Sequence, residues 1–356
     1  MPLQVVPATG AVLEQILTDT FPIWNDGLSR DHYAKFWAAQ LKTPWGQSHL
    51  DRVALVDGPH VLCSAKRYDL SLRLDGRIRR ALGIGAVFTA TAHRGRGFAR
   101  ELIVRMLDTA VTEGQEFAML WSEIAPAFYE QLDFVPVPLV ESTLDVDQKR
   151  GGAPAMLVRS GDERDLPAIA ELSAARSANA RLALVRSEDF VRYGITKTRL
   201  CSGLLPIGTR TTEFLVVEEG HQAVAYLVST AQDGRWMIEE AGDRDPSGAR
   251  LGAMLQVMLG APSGRAPAGD QVLVAEGPGA AAGEGGGVNA DAGGADDPAV
   301  ARSDLAAPAA CGGGSGLLAC RLLLEFAFVL QLLAKPAKVE HARLITRAEV
   351  VGHAFA

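Results

Sequence analysis

Residues 86–99 (AVFTATAHRGRGFA) join a strand-like run, a turn containing Gly95 and Gly97, and the start of a helix without a break. A helix N-terminus leaves backbone N–H groups unpaired and carries partial positive charge, so its amides alone can bind a phosphate. The two glycines permit close approach, and Arg94 and Arg96 can add charge-assisted hydrogen bonds. The segment therefore predicts a diphosphate site, although a basic turn making only surface ion pairs is the plainer alternative.

The elements around this segment predict an α+β domain. Apolar residues recur at helical spacing between Val12 and Leu50, which indicates two opening helices. Three strand-like runs follow (RVALVDG, VLCSAKRYDLSLRLDG and ALGIGAVFTAT) and suggest an antiparallel start. The helix after the glycine turn closes on Gly114, a residue suited to the left-handed position after a helix, and FAMLWS and APAFYEQL supply a further strand and a short helix.

A second series of elements begins near Met156 and repeats this order. We therefore predict two similar α+β domains in tandem, at residues 1–145 and 155–260. Where the second domain would need a phosphate turn, residues 243–249 (DRDPSGA) contain a single glycine and two acids that would repel phosphate. A structural or dimerising role suits this second, degenerate and possibly incomplete domain better.

Residues 261–356 differ in composition from the rest of the chain. More than half of residues 277–315 are Ala or Gly without a hydrophobic period, so we expect disorder there. The apolar run at residues 316–334 (GLLACRLLLEFAFVLQLLA) predicts a buried or amphipathic helix, because Arg321 and Glu325 would be costly inside a lipid bilayer. A shifted reading frame after about residue 260 is the alternative to a linker with a terminal helix.

The glycine turn resembles motif A of the GNAT acetyltransferases, which reads Gln or Arg, two residues, Gly, one residue, then Gly or Ala. The resemblance implies a GNAT fold, a mixed and mostly antiparallel sheet flanked by helices. It also implies that acyl-CoA, most simply acetyl-CoA, is the co-substrate and that no metal is needed. Backbone groups of two segments would bind it: Val87, Phe88 and Thr89 along the pantetheine arm, and Arg94, Gly95, Arg96, Gly97, Phe98 and Ala99 around the pyrophosphate.

Residues 127–134 (AFYEQLDF) are similar to a second family feature, Phe-Tyr-Glu-x-Leu-Gly-Phe. By this resemblance Tyr129 lies beside the CoA sulfur, where a phenol can protonate the leaving thiolate. The alternative is that Tyr129 is a core residue at helical spacing. Asp133 replaces the family's glycine, so we expect a left-handed backbone and some strain there.

The general base is less well defined by the sequence. An alkylammonium must lose a proton before it attacks a thioester, often through a carboxylate. Glu123, just past the strand before Tyr129, is the first candidate, and Asp26, His49 and Asp69 are weaker ones; a solvated surface role is the alternative for each. Between residues 21 and 45, the aromatic residues Trp24, Tyr33, Trp37 and Trp45 suit the core better than an acceptor pocket.

The net charge of −7 and a pI near 5.6 argue against a general nucleic-acid binder. The scattered cysteines lack metal-ligand spacing and indicate free or buried thiols in a reducing compartment. The N-terminal sequence lacks the features of an export signal, so we expect a cytoplasmic protein without a membrane span.

Together these features predict an N-acyltransferase, most simply an N-acetyltransferase, in which an amine attacks acyl-CoA directly in a ternary complex. Cys63 suits a packed thiol better than a nucleophile. The acceptor, a small molecule or a peptide, stays open, and homodimerisation is an expectation from the family. The alternative is a non-catalytic acyl-CoA-binding or scaffold protein that uses the same fold.

Overall fold

The computed structural model describes residues 2–122, 126–137, 142–144, 156–232, 235–260, 272–274, 327–332 and 350–351. Eight helices occur in these ranges: α1 Gly10–Trp24, α2 Arg30–Gln40, α3 Pro44–His49, α4 Phe98–Thr112, α5 Ala127–Glu130, α6 Leu166–Arg176, α7 Glu188–Leu204 and α8 Ala249–Gly260. Fifteen strands accompany them in the same ranges: β1 Gln4–Pro7, β2 Leu50–Asp57, β3 His60–Leu74, β4 Arg77–Thr89, β5 Phe117–Ser122, β6 Val135–Val137, β7 Ser142–Leu144, β8 Leu157–Ser160, β9 Leu182–Leu184, β10 Arg210–Glu219, β11 Gln222–Gln232, β12 Arg235–Asp243, β13 Val272–Val274, β14 Ala327–Leu332 and β15 Val350–Val351.

The first sheet has the strand order β1-β2-β3-β4-β5-β14-β6, with β9 pairing β3 and β15 pairing β9. The strands β4 and β5 are parallel, as are β15 and β9, and the other neighbours are antiparallel. One face packs on α4 around Leu102, Ile103 and Met106. The other face packs on α2, α3 and α7 through Trp37, Trp45 and Tyr193, among other residues. The expected mixed, mostly antiparallel sheet flanked by helices is confirmed.

Helix α4 connects the parallel strands β4 and β5. It begins after Gly97, whose φ of 79° is left-handed, and Gly114 follows its end at φ 77°. The left-handed position predicted for Gly114 is therefore confirmed. The buried residues fall on one side of the helix, so their removal from water holds α4 against the sheet. They are Leu102, Ile103, Met106, Leu107 and Ala110.

The second sheet has the strand order β7-β13-β12-β11-β10-β8. Its only parallel pair among the described strands is β12 with β13, which α8 connects. The unit β12-α8-β13 thus repeats the unit β4-α4-β5 of the first sheet. The predicted tandem order of elements is confirmed.

Strand pairing crosses the predicted domain boundaries. β7 precedes residue 145 yet lies in the second sheet, whereas β9 lies after residue 155 and pairs with β3 of the first sheet. β13, after residue 260, provides a parallel strand for the second sheet. The predicted boundaries follow the order of elements along the chain, but sheet pairing joins segments that are distant along it.

The predicted apolar helix is wrong over Ala327–Leu332, which form β14 between β5 and β6. A short apolar run has no periodicity that separates a buried strand from a buried helix, and pairing with two neighbours selects the strand. The rest of that segment and residues 277–315, where we expected disorder, lie outside the described residues. Among the described helices, none has both the length and the apolar composition needed to cross a bilayer.

Candidate active site

The parallel strands β4 and β5 separate in the middle of the first sheet. Their pairing ends at Ile84 and Leu120, after which β5 continues against β14 while β4 continues against β3 alone. Over residues 85–89, no described strand pairs with the other edge of β4. Backbone N–H and C=O groups inside a protein require partners, so this edge can accept an extended ligand as a further strand.

A β-bulge distorts β4 along the same stretch. Lys66 on β3 pairs with Gly85, and Ser64 pairs with Phe88. Ala65 alone therefore faces two residues of β4, Ala86 and Val87. Ala86 has a φ of 46°, which is unfavourable for a residue with a Cβ atom. Bulges change the direction of a strand and its side chains. Here the bulge lies where β4 leaves β5.

The glycine turn follows β4 directly. Gly95 and Gly97 have φ values of 73° and 79°, and a Cβ atom at either would meet nothing within 4 Å. The N-cap position of α4 has no side-chain cap, and its first amides have no acceptor among the described residues. Freely accessible amides at the positive end of a helix form an anion site.

The charges around the turn are also positive. Arg94 donates from Nε to the Thr89 carbonyl oxygen at 3.2 Å, and the Arg96 guanidinium lies 4.9 Å from the centroid of the Phe98 ring. Neither arginine forms an ion pair with a described carboxylate. The turn therefore offers two cations together with its amides.

Tyr129 lies in α5 and belongs to the same hydrophobic cluster as Phe98 and Ala99. Its ring packs edge-on against Phe128 and Phe134, with centroids 4.9 and 6.0 Å away, and its side chain is 5% exposed. Asp133 has a φ of 62°, as expected for a residue in the place of a glycine. The same aromatic residues belong to one hydrophobic cluster with residues of α4 and β5. The segment at residues 127–134 therefore packs in the same core as the helix that follows the glycine turn.

Comparison with known proteins identifies this unit. A family model described as an acetyltransferase (GNAT) domain matches residues 21–137. These residues form a GNAT domain. No curated protein sequence matches the chain.

Solved structures support the same fold. A GCN5-related N-acetyltransferase from Kribbella flavida is 18% identical at a TM-score of 0.56, over 76% of this chain and 63% of its own. A GCN5-related N-acetyltransferase from Anabaena variabilis ATCC 29413 is 13% identical at a TM-score of 0.59, over 76% of this chain and 65% of its own. A probable N-acyltransferase from Enterococcus faecalis V583 is 12% identical at 0.54, over 72% and 62%. The chain thus spans less than two thirds of these relatives' length.

The candidate bases of the GNAT domain lie in different places. Glu123 lies outside the described residues. His49 and Asp69 come within 4.0 Å of each other, and Asp69 pairs with Leu82, three residues before Gly85. Asp69 also accepts a hydrogen bond from Gln115, beyond the C-terminal end of α4. Asp26 follows Trp24, whose ring is 6.2 Å from that of Phe88 beside the open edge of β4. The contact of Trp24 thus brings Asp26 near the open edge of β4, whereas Asp69 is bonded to Gln115 at the other end of α4.

The aromatic residues near the N-terminus are mostly core, as expected: Tyr33, Trp37 and Trp45 are buried. Cys63 is also buried, and burial raises the pKa of its thiol to about 11. A thiol with that pKa is almost fully protonated at neutral pH and is a poor nucleophile. The prediction of a packed thiol is confirmed.

The GNAT domain has polar residues that sequence reasoning missed. Arg52 and Lys66 lie on the sheet face opposite α4, and Lys197 belongs to α7, which packs on that face from outside the domain. Burial is the largest influence on the pKa of each, and it lowers all three. Arg52 and Lys66 occupy inward positions of β2 and β3 in line with core residues, and that alternation was the available signal.

The N-terminus of α8, the equivalent of α4 in the second sheet, is capped by a carboxylate. Asp243 Oδ2 accepts hydrogen bonds from the amides of Arg250, at 2.9 Å, and Leu251, at 3.3 Å. The Arg250 side chain in turn bonds Asp243 and Glu219. A carboxylate thus occupies the position at α8 that is open at α4. Within the described ranges, no three His, Cys, Asp or Glu side chains are placed as metal ligands.

Proposed function

We propose that this chain is an N-acyltransferase that binds acyl-CoA, most simply acetyl-CoA, in the fork between β4 and β5. The observation that supports it best is the open edge of β4 at residues 85–89, which leads into the uncapped N-terminus of α4. In this proposal Val87, Phe88 and Thr89 pair with the pantetheine arm. The amides of residues 94–99 bind the pyrophosphate, with Arg94 and Arg96 adding charge.

The proposed reaction is direct transfer in a ternary complex. The amine nitrogen of the acceptor attacks the thioester carbonyl, the new N–C bond forms, and the C–S bond breaks. A base takes the proton that the ammonium loses, and Tyr129 gives a proton to the departing thiolate. We retain Glu123 as the first candidate base, and Asp26 becomes the second because of its place beside the fork. Burial of Cys63 as a neutral thiol supports transfer without a covalent enzyme intermediate.

In the same proposal the second domain is a degenerate copy with a structural role. The hydrogen bonds that Asp243 accepts at the start of α8 support this role. The carboxylate repels phosphate, and it already binds the helix amides that a phosphate would need. A cytoplasmic location and a possible homodimer belong to the proposal as expectations.

We expect Tyr129→Phe to lower kcat about 100-fold or more, the usual effect of losing an acid or base in catalysis, while Kd for acetyl-CoA changes less than about twofold. The phenylalanine keeps the ring packing against Phe128 and Phe134, so folding is preserved. Release of free thiol from acetyl-CoA with a panel of amines measures kcat, and calorimetry measures Kd.

The control is Phe128→Tyr, which adds a hydroxyl to the neighbouring ring of the cluster and should leave kcat within a few-fold. An unchanged kcat in Tyr129→Phe would exclude Tyr129 as the acid. Tight acetyl-CoA binding without turnover on any amine would favour the binding or scaffold protein instead.

A further inference from the structure

Two cations lie next to each other on the sheet face opposite α4. Arg52 on β2 and Lys66 on β3 are direct partners in the antiparallel register. Both also lie over the Trp37 ring, with Arg52 Cζ 5.2 Å and Lys66 Nζ 5.4 Å from its centroid. Like charges that face each other across a strand pair repel, so this arrangement costs stability unless an anion offsets it.

Arg52 has a side-chain hydrogen bond with Tyr33 but lacks partners for the rest of its guanidinium. The residue is 4% exposed, and Nε and Nη2 have no acceptor in the described part of the chain. No described carboxylate forms an ion pair with Arg52 or Lys66. A buried guanidinium with unused donors is costly, and natural proteins rarely retain one without a ligand or partner.

Lys66 lies in a recess rather than on an open surface. It keeps partial exposure, yet burial lowers its pKa well below the ordinary value, with further lowering from Lys197 and Arg52. Asp26, which is exposed, is the carboxylate whose charge opposes this effect. We call Arg52, Lys66 and Lys197 the cation recess, with Asp26 at its rim.

The cation recess is next to the fork. Lys66 pairs with Arg52 on one side and with Gly85 on the other, so the three residues form one row across β2, β3 and β4. Gly85 is the first residue of β4 beyond its pairing with β5. The open edge lies on the far side of β4 from β3, so β4 separates Lys66, and β3 and β4 separate Arg52, from the place where the thioester would lie. These separations are about 10 and 14 Å at the usual strand spacing.

We propose that the acceptor is a small amine carrying an anionic group, a carboxylate or a phosphate, which binds in the cation recess while the amine reaches the fork. This rests on the proposed function for the site of acyl transfer. The anion satisfies the free donors of Arg52 and offsets the repulsion between the two cations. The acceptor is short, because recess and fork are separated by only one or two strands.

The test compares amines that differ only in the anion. β-Alanine and γ-aminobutyrate are compared with their amides, and phosphoethanolamine with ethanolamine, as acceptors from acetyl-CoA. We expect kcat/KM at least tenfold higher for the anionic member of one pair, and which pair responds tells carboxylate from phosphate. Lys66→Met and Arg52→Gln should each lower the ratio of kcat/KM for the anionic and neutral amines at least tenfold. The control is Lys35→Met, which replaces an exposed lysine of α2 and should retain that ratio. Acetylation of amines without any such preference would overturn the proposal.

A second readout does not need activity. Arg52 and Lys66 face each other without a described carboxylate partner, so replacing Lys66 relieves repulsion. We expect Lys66→Met to raise Tm in the absence of ligand and Lys35→Met to leave it unchanged. A lower Tm would mean that a carboxylate of this chain already neutralises the recess, and would overturn the proposal.

Binding of the anion is measured separately with succinate and inorganic phosphate as probes. One of them should raise Tm of the intact protein and have less effect on Lys66→Met; equal shifts, or none, would overturn the cation recess as an anion site. If acetyl-CoA fails to bind but a probe binds in this way, the proposed function fails while the anion site stands.

Discussion

Gly97→Glu is expected to weaken the binding of acetyl-CoA at least about 100-fold in isothermal titration calorimetry. The new carboxylate would lie among the amides that we assign to the pyrophosphate, and like charges a few ångströms apart repel by about 4 kcal/mol near a protein surface. The residue also has a φ of 79°, so any side chain adds backbone strain of about 1–2 kcal/mol. Both effects act at the start of α4.

Gly114→Glu is the matched control for this substitution. Gly114 lies at the other end of α4, has a φ of 77°, and a Cβ atom there meets nothing within 4 Å, as at Gly97. The two variants therefore carry similar strain and the same charge. Equal loss of affinity in both would show a general effect on the helix, and full affinity in Gly97→Glu would remove the phosphate site from this turn.

Glu240→Ala is expected to lower the free energy of unfolding by about 3–5 kcal/mol, because removing one partner leaves a buried charge uncompensated. Glu240 Oε2 pairs with Arg186 Nη2 at 2.6 Å, and their side chains are 6% and 11% exposed. The Tyr226 hydroxyl donates to Glu240 Oε1 at 2.7 Å and also loses its acceptor. Chemical denaturation followed by fluorescence measures the change.

Glu163→Ala is the control for this measurement. Glu163 pairs with Arg192 at 2.8 Å, but its side chain is 77% exposed and Arg192 keeps Glu188 as a partner. We expect a cost below about 1 kcal/mol, as for exposed pairs in general. Similar losses for both variants would mean that burial does not determine the strength of the Glu240 pair.

Local features of the fold were predictable because each depends on a short stretch of chain. The left-handed position at Gly114 follows from the end of one helix. The positive φ of Asp133 follows from its place after α5. The closed start of α8 follows similarly, since the acids at residues 243–249 that argued against phosphate include the one that caps the helix.

Long-range features were not predictable in this way. The pairing of β14 with β5 and β6 joins segments about 200 residues apart along the chain, and a short apolar run does not reveal its partners. The cation recess depends on the same kind of information, because Arg52 and Lys66 become neighbours only through the register of β2 and β3. The positions of the candidate bases were not predictable for the same reason. Asp26 comes near the open edge of β4 only because Trp24 packs on Phe88.

Hydrogen exchange with and without acetyl-CoA tests the central claim most directly, namely that the cofactor extends along the open edge of β4 to the start of α4. Mass spectrometry of peptides covering residues 85–89 and 94–99 would measure amide protection. We predict slower exchange in both peptides when acetyl-CoA is bound, and no change in peptides covering residues 243–251 at the capped start of α8. Saturating acetyl-CoA that leaves residues 85–99 unprotected, or protects α8 instead, would contradict this placement of the cofactor.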